Sequence, residues 1–151
     1  MTPDRIEKQI EIAAPVSRVW RAITDHREFG EWFQAKLDGP FVVGQVSHGR
    51  ITYPGYEHLA WEAVVQKIEP ERYFSFSWTT YCGEPGTEAL KDIYTLVEFL
   101  LEPTATGTLL RVVESGFDRL PAELRDSVWR RNEGGWSEQV KSVDAYVRAR
   151  R

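Results

Sequence analysis

The chain has 151 residues, a formal net charge of −4, 42% hydrophobic residues and 28% charged residues. These values are typical of one globular domain, which we place over residues 1–151. The acidic balance argues against a nucleic-acid-binding surface, and no apolar run approaches the ~20 residues of a membrane-spanning helix, so we expect neither a nucleic-acid partner nor membrane insertion.

Cysteine and histidine usage limits the chemistry further. Cys82 is the single cysteine, so no disulfide can form within the chain, and the charged first residues lack a signal-peptide core. We therefore expect a cytoplasmic protein. His26, His48, His58 and Cys82 show no metal-ligand spacing, and no glycine-rich phosphate loop follows a strand. We expect no metal site and no cofactor.

The first third of the chain predicts one strand and two short helices. Isoleucines alternate with charged or polar residues over 6–12, as in a strand with one buried face. Pro15 suits the first position of the helix that follows. Asp25, with Glu28 three residues later, is a candidate capping pair for a second helix that ends near Phe33.

A meander of strands follows the two helices. The predicted strands are Ala35–Leu37, Phe41–Val43, Val46–Tyr53, Leu59–Ile68, Tyr73–Trp78, Ile93–Glu102 and Thr108–Ser115. Gly44-Gln45 is predicted to be a hairpin turn, and residues 79–92 to be the longest irregular loop. Because the links between these strands are short, we expect an antiparallel sheet.

A long helix is predicted to begin near Pro121 and to close the fold. Apolar residues from Val128 to Val147 recur at spacings that place most of them on one helix face. Gly134 and Gly135 interrupt this segment at a cost of roughly 0.5–1 kcal/mol each. The pair either removes side chains above a cavity or permits close packing of the helix on the sheet.

Four segments of the chain resemble one superfamily. They are IAAPVSRVWRAITD…FGEWF at 12–33, VVQKIEPERYFSFSW at 64–78, TLVEFLLEPTATGTLLRVVESGF at 95–117 and NEGGWSEQV at 132–140. Their order is similar to that of the START-like SRPBCC superfamily, in particular the subgroup named for the activator of the heat-shock-protein-90 ATPase. The resemblance implies an α+β helix-grip fold, in which a curved antiparallel sheet of about six to seven strands and a C-terminal helix enclose a cavity for apolar or amphipathic ligands.

Strand parity and the helix face indicate which residues would line that cavity. The candidate ligand-binding residues are Trp32, Phe33, Trp61, Phe76, Trp78, Phe99, Glu114, Asn132, Trp136 and Val140. A mostly apolar set with a few polar groups is typical of ligand pockets. The same aromatic residues would equally suit a filled core, so the sequence leaves both arrangements open.

Glu114 is the most informative polar residue of this set. It shares the parity of Leu110 and Val112, so we expect it to face inwards, where a carboxylate needs partners. It could orient a ligand, act as a general base or pair with an arginine such as Arg131; a shift of parity at the strand end would instead leave it solvated.

Three functions remain compatible with the sequence. We expect non-catalytic binding of a small apolar or amphipathic ligand, either lipid-like or aromatic, beneath the long helix. One alternative is a polyketide cyclase- or hydratase-like enzyme with Glu114 and His48 as weak candidates for acid–base catalysis. Another is a chaperone-interacting module, and a homodimer is compatible with each of these functions.

Overall fold

The computed structural model describes residues 2–150, so the predicted domain limits at residues 1 and 151 lie outside the described residues. The strands are β1 (Arg5–Ile12), β2 (Ala35–Leu37), β3 (Val46–Ile51), β4 (Ala60–Glu69), β5 (Tyr73–Thr79), β6 (Tyr94–Pro103) and β7 (Thr108–Ser115). The α-helices are α1 (Val16–Thr24), α2 (His26–Phe33) and α3 (Ala122–Ala149), and 3-10 helices span Glu88–Asp92 and Phe117–Arg119.

The seven strands form one curved antiparallel sheet in the order β1-β7-β6-β5-β4-β3-β2. Strands β2 to β7 follow one another as a meander, since short links allow only neighbouring strands to pair. The two helices between β1 and β2 carry the chain across, so these strands occupy opposite edges. The predicted α+β helix-grip architecture is confirmed. None of the helices in residues 2–150 combines the length and apolar character that crossing a bilayer requires.

Alternation along the strands creates a buried inner face. On β4, Trp61, Ala63 and Val65 are buried, whereas the β-bulge between Val65 and Lys67 ends this alternation. The inner faces of β5, β6 and β7 continue the same layer, in which Val97 is paired with Glu114. The concave side of the sheet is therefore the side that meets the helices.

The helix boundaries follow local capping. Asp25 Oδ1 accepts hydrogen bonds from the backbone N–H groups of Arg27 and Glu28 at 3.0 and 3.1 Å, so the predicted cap at this position is confirmed. The carboxylate of Glu28 instead accepts from Arg18 and from Tyr146 of α3. Pro15 is the N-cap of α1 rather than its first helical residue, and α3 begins at Ala122, directly after a proline.

The predicted strand at Phe41–Val43 and the hairpin turn at Gly44-Gln45 are wrong. Gly44 has a φ of 84°, and its N–H donates to the carbonyl of Val65, whose own N–H donates to the carbonyl of Gln45. This segment therefore runs as a loop held by β4. Phe41 alone enters the core, where its ring lies 5.5 Å from that of Phe29 and 4.9 Å from that of Phe74.

Candidate functional site

Glu114 lies on the inner face of β7 with an exposed fraction of 0%. Its Oε2 accepts hydrogen bonds from Trp78 Nε1 at 2.8 Å and Thr95 Oγ1 at 2.6 Å. Its Oε1 accepts from Trp136 Nε1 at 2.9 Å. Asn132 Nδ2 lies 3.0 Å from Oε1 and 3.2 Å from Oε2. Both oxygens of the carboxylate are therefore engaged by donors from the sheet and from α3.

The four donors are neutral groups, two of which cannot accept a hydrogen bond. An indole N–H only donates, so Trp78 and Trp136 each require an acceptor, which Oε2 supplies to Trp78 and Oε1 to Trp136. Hydrogen bonds to an ionised acceptor are roughly twice as strong as those between neutral groups. The ionised form of Glu114 accommodates all four donors, and it thereby fastens α3 to strands β5, β6 and β7.

Arg131 does not pair directly with Glu114. Its Nε donates to Asn132 Oδ1 at 3.1 Å, and its Nη2 donates to the backbone carbonyl of Thr80 at 2.7 Å. The Asn132 amide thus stands between the guanidinium and the buried carboxylate. The alternative in which Glu114 pairs with Arg131 is therefore wrong: one neutral side chain connects the two residues, with the guanidinium at the surface and the carboxylate inside.

A cleft of about 610 Å³ opens beside this cluster, where β4 begins and β5 ends. Its apolar wall consists of Phe33 at the end of α2, Ile51, Leu59, Trp61 and Trp78. Phe33 packs against both tryptophans, with ring centroids 5.2 Å from Trp61 and 6.0 Å from Trp78. The cleft therefore has a continuous aromatic wall, and Trp78 belongs both to this wall and to the Glu114 cluster.

Polar groups line the remainder of the cleft. They include His58, Thr80, Cys82, Lys91, Arg131 and Asn132. Thr80 is 3% exposed, and its Oγ1 has no hydrogen-bond partner within residues 2–150. Lys91 Nζ lies 4.9 Å from the centroid of the Tyr81 ring. The cleft thus combines aromatic surface with cationic groups and a buried hydroxyl.

The comparisons with known proteins agree with this architecture. The family model described as "Activator of Hsp90 ATPase homolog 1-like protein" matches residues 13–148. The chain belongs to this family. The subgroup to which the sequence showed a resemblance is thereby confirmed.

Solved structures with low sequence identity share the fold of this family member. Protein MLL2253 from Mesorhizobium loti is 24% identical, with a TM-score of 0.77 over 97% of this chain and 98% of its own. DynU16, from the dynemicin biosynthetic locus, is 23% identical, with a TM-score of 0.74 over 97% of this chain and 48% of its own. The Aha1 dimer from Colwellia psychrerythraea is 18% identical, with a TM-score of 0.69 over 95% of both chains. A search of curated proteins found no match.

The residues predicted to bind a ligand fall into two groups. Phe33, Trp61, Trp78 and Asn132 line the cleft. The side chains of Trp32, Phe76, Phe99, Trp136 and Val140 are buried in the hydrophobic core and do not line it. Glu114 lies behind Trp78 and Asn132 rather than on the cleft surface. The sequence therefore predicted part of the apolar wall, together with much of the packed layer behind it.

Aromatic rings fill the space between α3 and the sheet. Trp136 is 4% exposed, and its ring centroid lies 6.0 Å from those of Trp78 and Phe99. Phe29, which the sequence did not single out, lies 4.7 Å from Trp32 and 5.1 Å from Phe33 between ring centroids. Its spacing of three and four residues from these aromatics was the available signal. Trp136 is consequently a core residue rather than a wall of the cleft.

Both interpretations of the glycine pair in α3 are wrong. Gly134 and Gly135 are exposed, and a Cβ added at either position would meet no heavy atom within 4 Å apart from the helix's own backbone and its chain neighbours. They therefore neither approach the sheet nor lie above a cavity. Trp136, the next residue, points inwards because each step along the helix rotates the side chain by about 100°.

The proposed acid–base pair of Glu114 and His48 is also wrong. Ser47 points inwards, where its Oγ accepts a hydrogen bond from Trp61 Nε1 at 2.9 Å. The next residue, His48, is exposed on the opposite face, with Nδ1 3.7 Å from Glu62 Oε2. The two catalytic candidates cannot act on one substrate atom, because the sheet separates them.

The cleft also contains residues that sequence patterns did not identify as a set. Thr80, Cys82 and Lys91 lie between β5 and β6, in the segment predicted to be an irregular loop. Such a segment has no period from which side-chain direction can be read.

Within residues 2–150, no group of three or more His, Cys, Asp or Glu residues could hold a metal ion.

Proposed function

We propose that this protein binds a small amphipathic molecule in the cleft between the β4–β5 end of the sheet and α3, in the cytoplasm. The observation that supports this most directly is the cleft itself, whose volume of about 610 Å³ falls within the roughly 300–1,000 Å³ of small-molecule sites. The aromatic wall of Phe33, Trp61 and Trp78 would contact an apolar body, and the polar wall would orient it.

The arrangement favours binding over catalysis. Both oxygens of Glu114 already accept hydrogen bonds, and Trp78 and Asn132 separate its carboxylate from the cleft. A general base must reach the proton that it removes, within about 3 Å or through one water. Glu114 is therefore better suited to holding the cleft wall in place than to proton transfer.

The binding proposal can be tested with N-phenyl-1-naphthylamine, a neutral dye whose fluorescence rises in apolar sites. We expect saturable binding by the wild-type protein and a loss of at least tenfold in affinity for Ile51→Trp, because Ile51 is half-buried in the apolar wall of the cleft and a bulky ring there would fill it. Glu102→Trp places the same side chain on an exposed position of β6 and should bind the dye normally. Equal affinities of the two variants, or no dye binding by the wild type, would contradict the proposal.

One surface feature favours the second candidate, a contact with a chaperone. Val42, Val43 and Val46 are 45%, 53% and 44% exposed, so apolar side chains face solvent close to the β2 edge of the sheet. If this surface binds an Hsp90-type chaperone, the wild-type chain should alter the chaperone's ATPase rate and the Val42→Ser, Val43→Ser double variant should not. An unchanged rate with the wild-type chain would remove this candidate.

A further inference from the structure

We propose that the occupant of the cleft is an organic anion, namely a small amphipathic carboxylate whose charged group contacts Arg131, Lys91 and the hydroxyl of Thr80. This inference rests on the proposed binding function and adds to it the charge of the ligand. It is argued from three features of the polar wall. Within residues 2–150, these are a buried hydroxyl without a partner, two cations without acidic partners, and an acidic neighbour that is engaged elsewhere.

The first feature is the hydroxyl of Thr80, which lies at the point where β5 has just ended. Its Oγ1 is buried and makes no hydrogen bond to any described residue, although its own backbone carbonyl accepts from Arg131. Buried polar groups are almost always hydrogen-bonded, because leaving one unpaired is costly. Thr80 also lines the cleft, so its hydroxyl offers a ligand oxygen a donor for which no described residue competes.

The second feature is a pair of cations that the rest of the described chain leaves without ionic partners. No carboxylate lies within 4 Å of the charged atoms of Arg131 or Lys91 in residues 2–150. The Arg131 guanidinium is fixed by its hydrogen bonds to Thr80 and Asn132, so it presents its remaining N–H groups at low entropic cost. Arginine N–H groups match the geometry of a carboxylate.

The third feature is the position of the acidic residue that borders the cleft. The carboxylate of Glu62 is directed to the outer face of β4, where it lies 3.7 Å from His48 Nδ1. It therefore does not neutralise Arg131 or Lys91. Trp78, which lies two residues before Thr80, places aromatic surface next to these cations. An apolar body bearing one carboxylate would match both parts of the cleft.

The charge of the ligand can be tested with 2-naphthoate and 2-naphthamide, which have nearly the same size and differ in charge at neutral pH. Titrations followed by calorimetry should show that the wild-type protein binds the carboxylate about tenfold more tightly than the amide, as a charge-assisted hydrogen bond allows. Arg131→Gln and Lys91→Met should each remove most of this preference, because they weaken the binding of the carboxylate more than the binding of the amide. Arg130→Gln is the matched control, because Arg130 pairs with Asp126 on the exposed side of α3.

A Thr80→Val variant tests the inference independently of folding. Because the Thr80 hydroxyl has no partner among the described residues, its replacement by a methyl group should keep or raise the melting temperature while weakening the binding of 2-naphthoate several-fold. Equal wild-type affinities for the carboxylate and the amide, or equal behaviour of Arg131→Gln and Arg130→Gln, would overturn the anion assignment alone. Failure of both ligands and of the neutral dye to bind would overturn the proposed function itself, and this inference with it.

Discussion

Replacement of Glu114 by glutamine would test the role of the buried carboxylate without changing its size. Trp136 donates to Oε1 and Trp78 to Oε2, so either orientation of the new amide places its NH₂ group against one indole N–H. Two donors then face each other in the core. The substitution creates no cavity, and any loss of stability therefore reports on hydrogen bonding and charge alone.

The magnitude of the Glu114→Gln effect follows from the number of donors that lose an acceptor. One indole N–H left buried and unsatisfied costs about 1–3 kcal/mol, and the other bonds lose the contribution of the charged acceptor. Removing a buried charge offsets part of this loss. We expect the free energy of unfolding to fall by about 2–3 kcal/mol, which lowers the melting temperature of a domain of this size by about 4–12 °C.

Thermal unfolding followed by circular dichroism would measure this effect, and urea unfolding followed by tryptophan fluorescence would give the free energy directly. Glu102→Gln is the control, because Glu102 is exposed on β6 and the same substitution there should change stability by less than about 0.5 kcal/mol. A Glu114→Gln variant that melts within about 1 °C of the wild type, or above it, would show that the carboxylate does not fasten α3 to the sheet.

Two further predictions concern α3. Gly134→Ala and Gly135→Ala should each raise the free energy of unfolding by about 0.5–1 kcal/mol, since an added Cβ meets open space and alanine is the better helix former. Urea unfolding would measure this gain. If neither variant is more stable, the glycines are needed for something other than packing. Burial, and then the hydrogen bond to Glu28, raise the pKa of Tyr146 above its usual value of 10.0. The protonated Tyr146 side chain therefore contributes fully to stability below pH ~10, and this contribution is lost as the pH rises towards the folded-state pKa. Between pH 8 and pH 10.5, the free energy of unfolding measured with urea should decline less for Tyr146→Phe than for the wild type.

Strand parity predicted the inner face of the sheet because the pleat allows only two directions for a side chain. Leu110, Val112 and Glu114 are all buried, as expected from their alternation. The identities of the Glu114 donors could not be predicted in the same way. Trp78 and Asn132 are distant from it in sequence, and only the register of the sheet and the rotation of α3 bring them to one carboxylate.

The sequence of α3 predicts which face of the helix points towards the sheet. Trp136, Val140 and Val143 are separated by four and three residues, and all three are buried. This spacing defines the inward stripe of the helix, and a residue one position before Trp136 lies about 100° away from it. Gly135 is therefore outside the stripe on helical geometry alone.

Residues after β5 mark the limit of pattern-based prediction. Phe74, Phe76 and Trp78 follow the period of the strand, so their inward direction was predicted, but the strand ends at Thr79. Thr80 lines the cleft because of the loop conformation that follows, for which no periodicity exists. The apolar wall of a cleft built at the end of a strand is thus predictable, whereas its polar wall requires the structure.

The division of roles between Glu114 and the cleft explains which residues can be used to test ligand binding. Trp78 and Asn132 each present one side to the cleft and donate a hydrogen bond from the other to Glu114. A substitution at either would disturb the anchoring of α3 together with any ligand contact, so a loss of binding would have two explanations. Lys91 and Thr80 are not among the residues that donate hydrogen bonds to the Glu114 carboxylate in the described chain. Ligand recognition and fold stability are therefore separable at these two positions, even though the cleft wall and the core share a tryptophan.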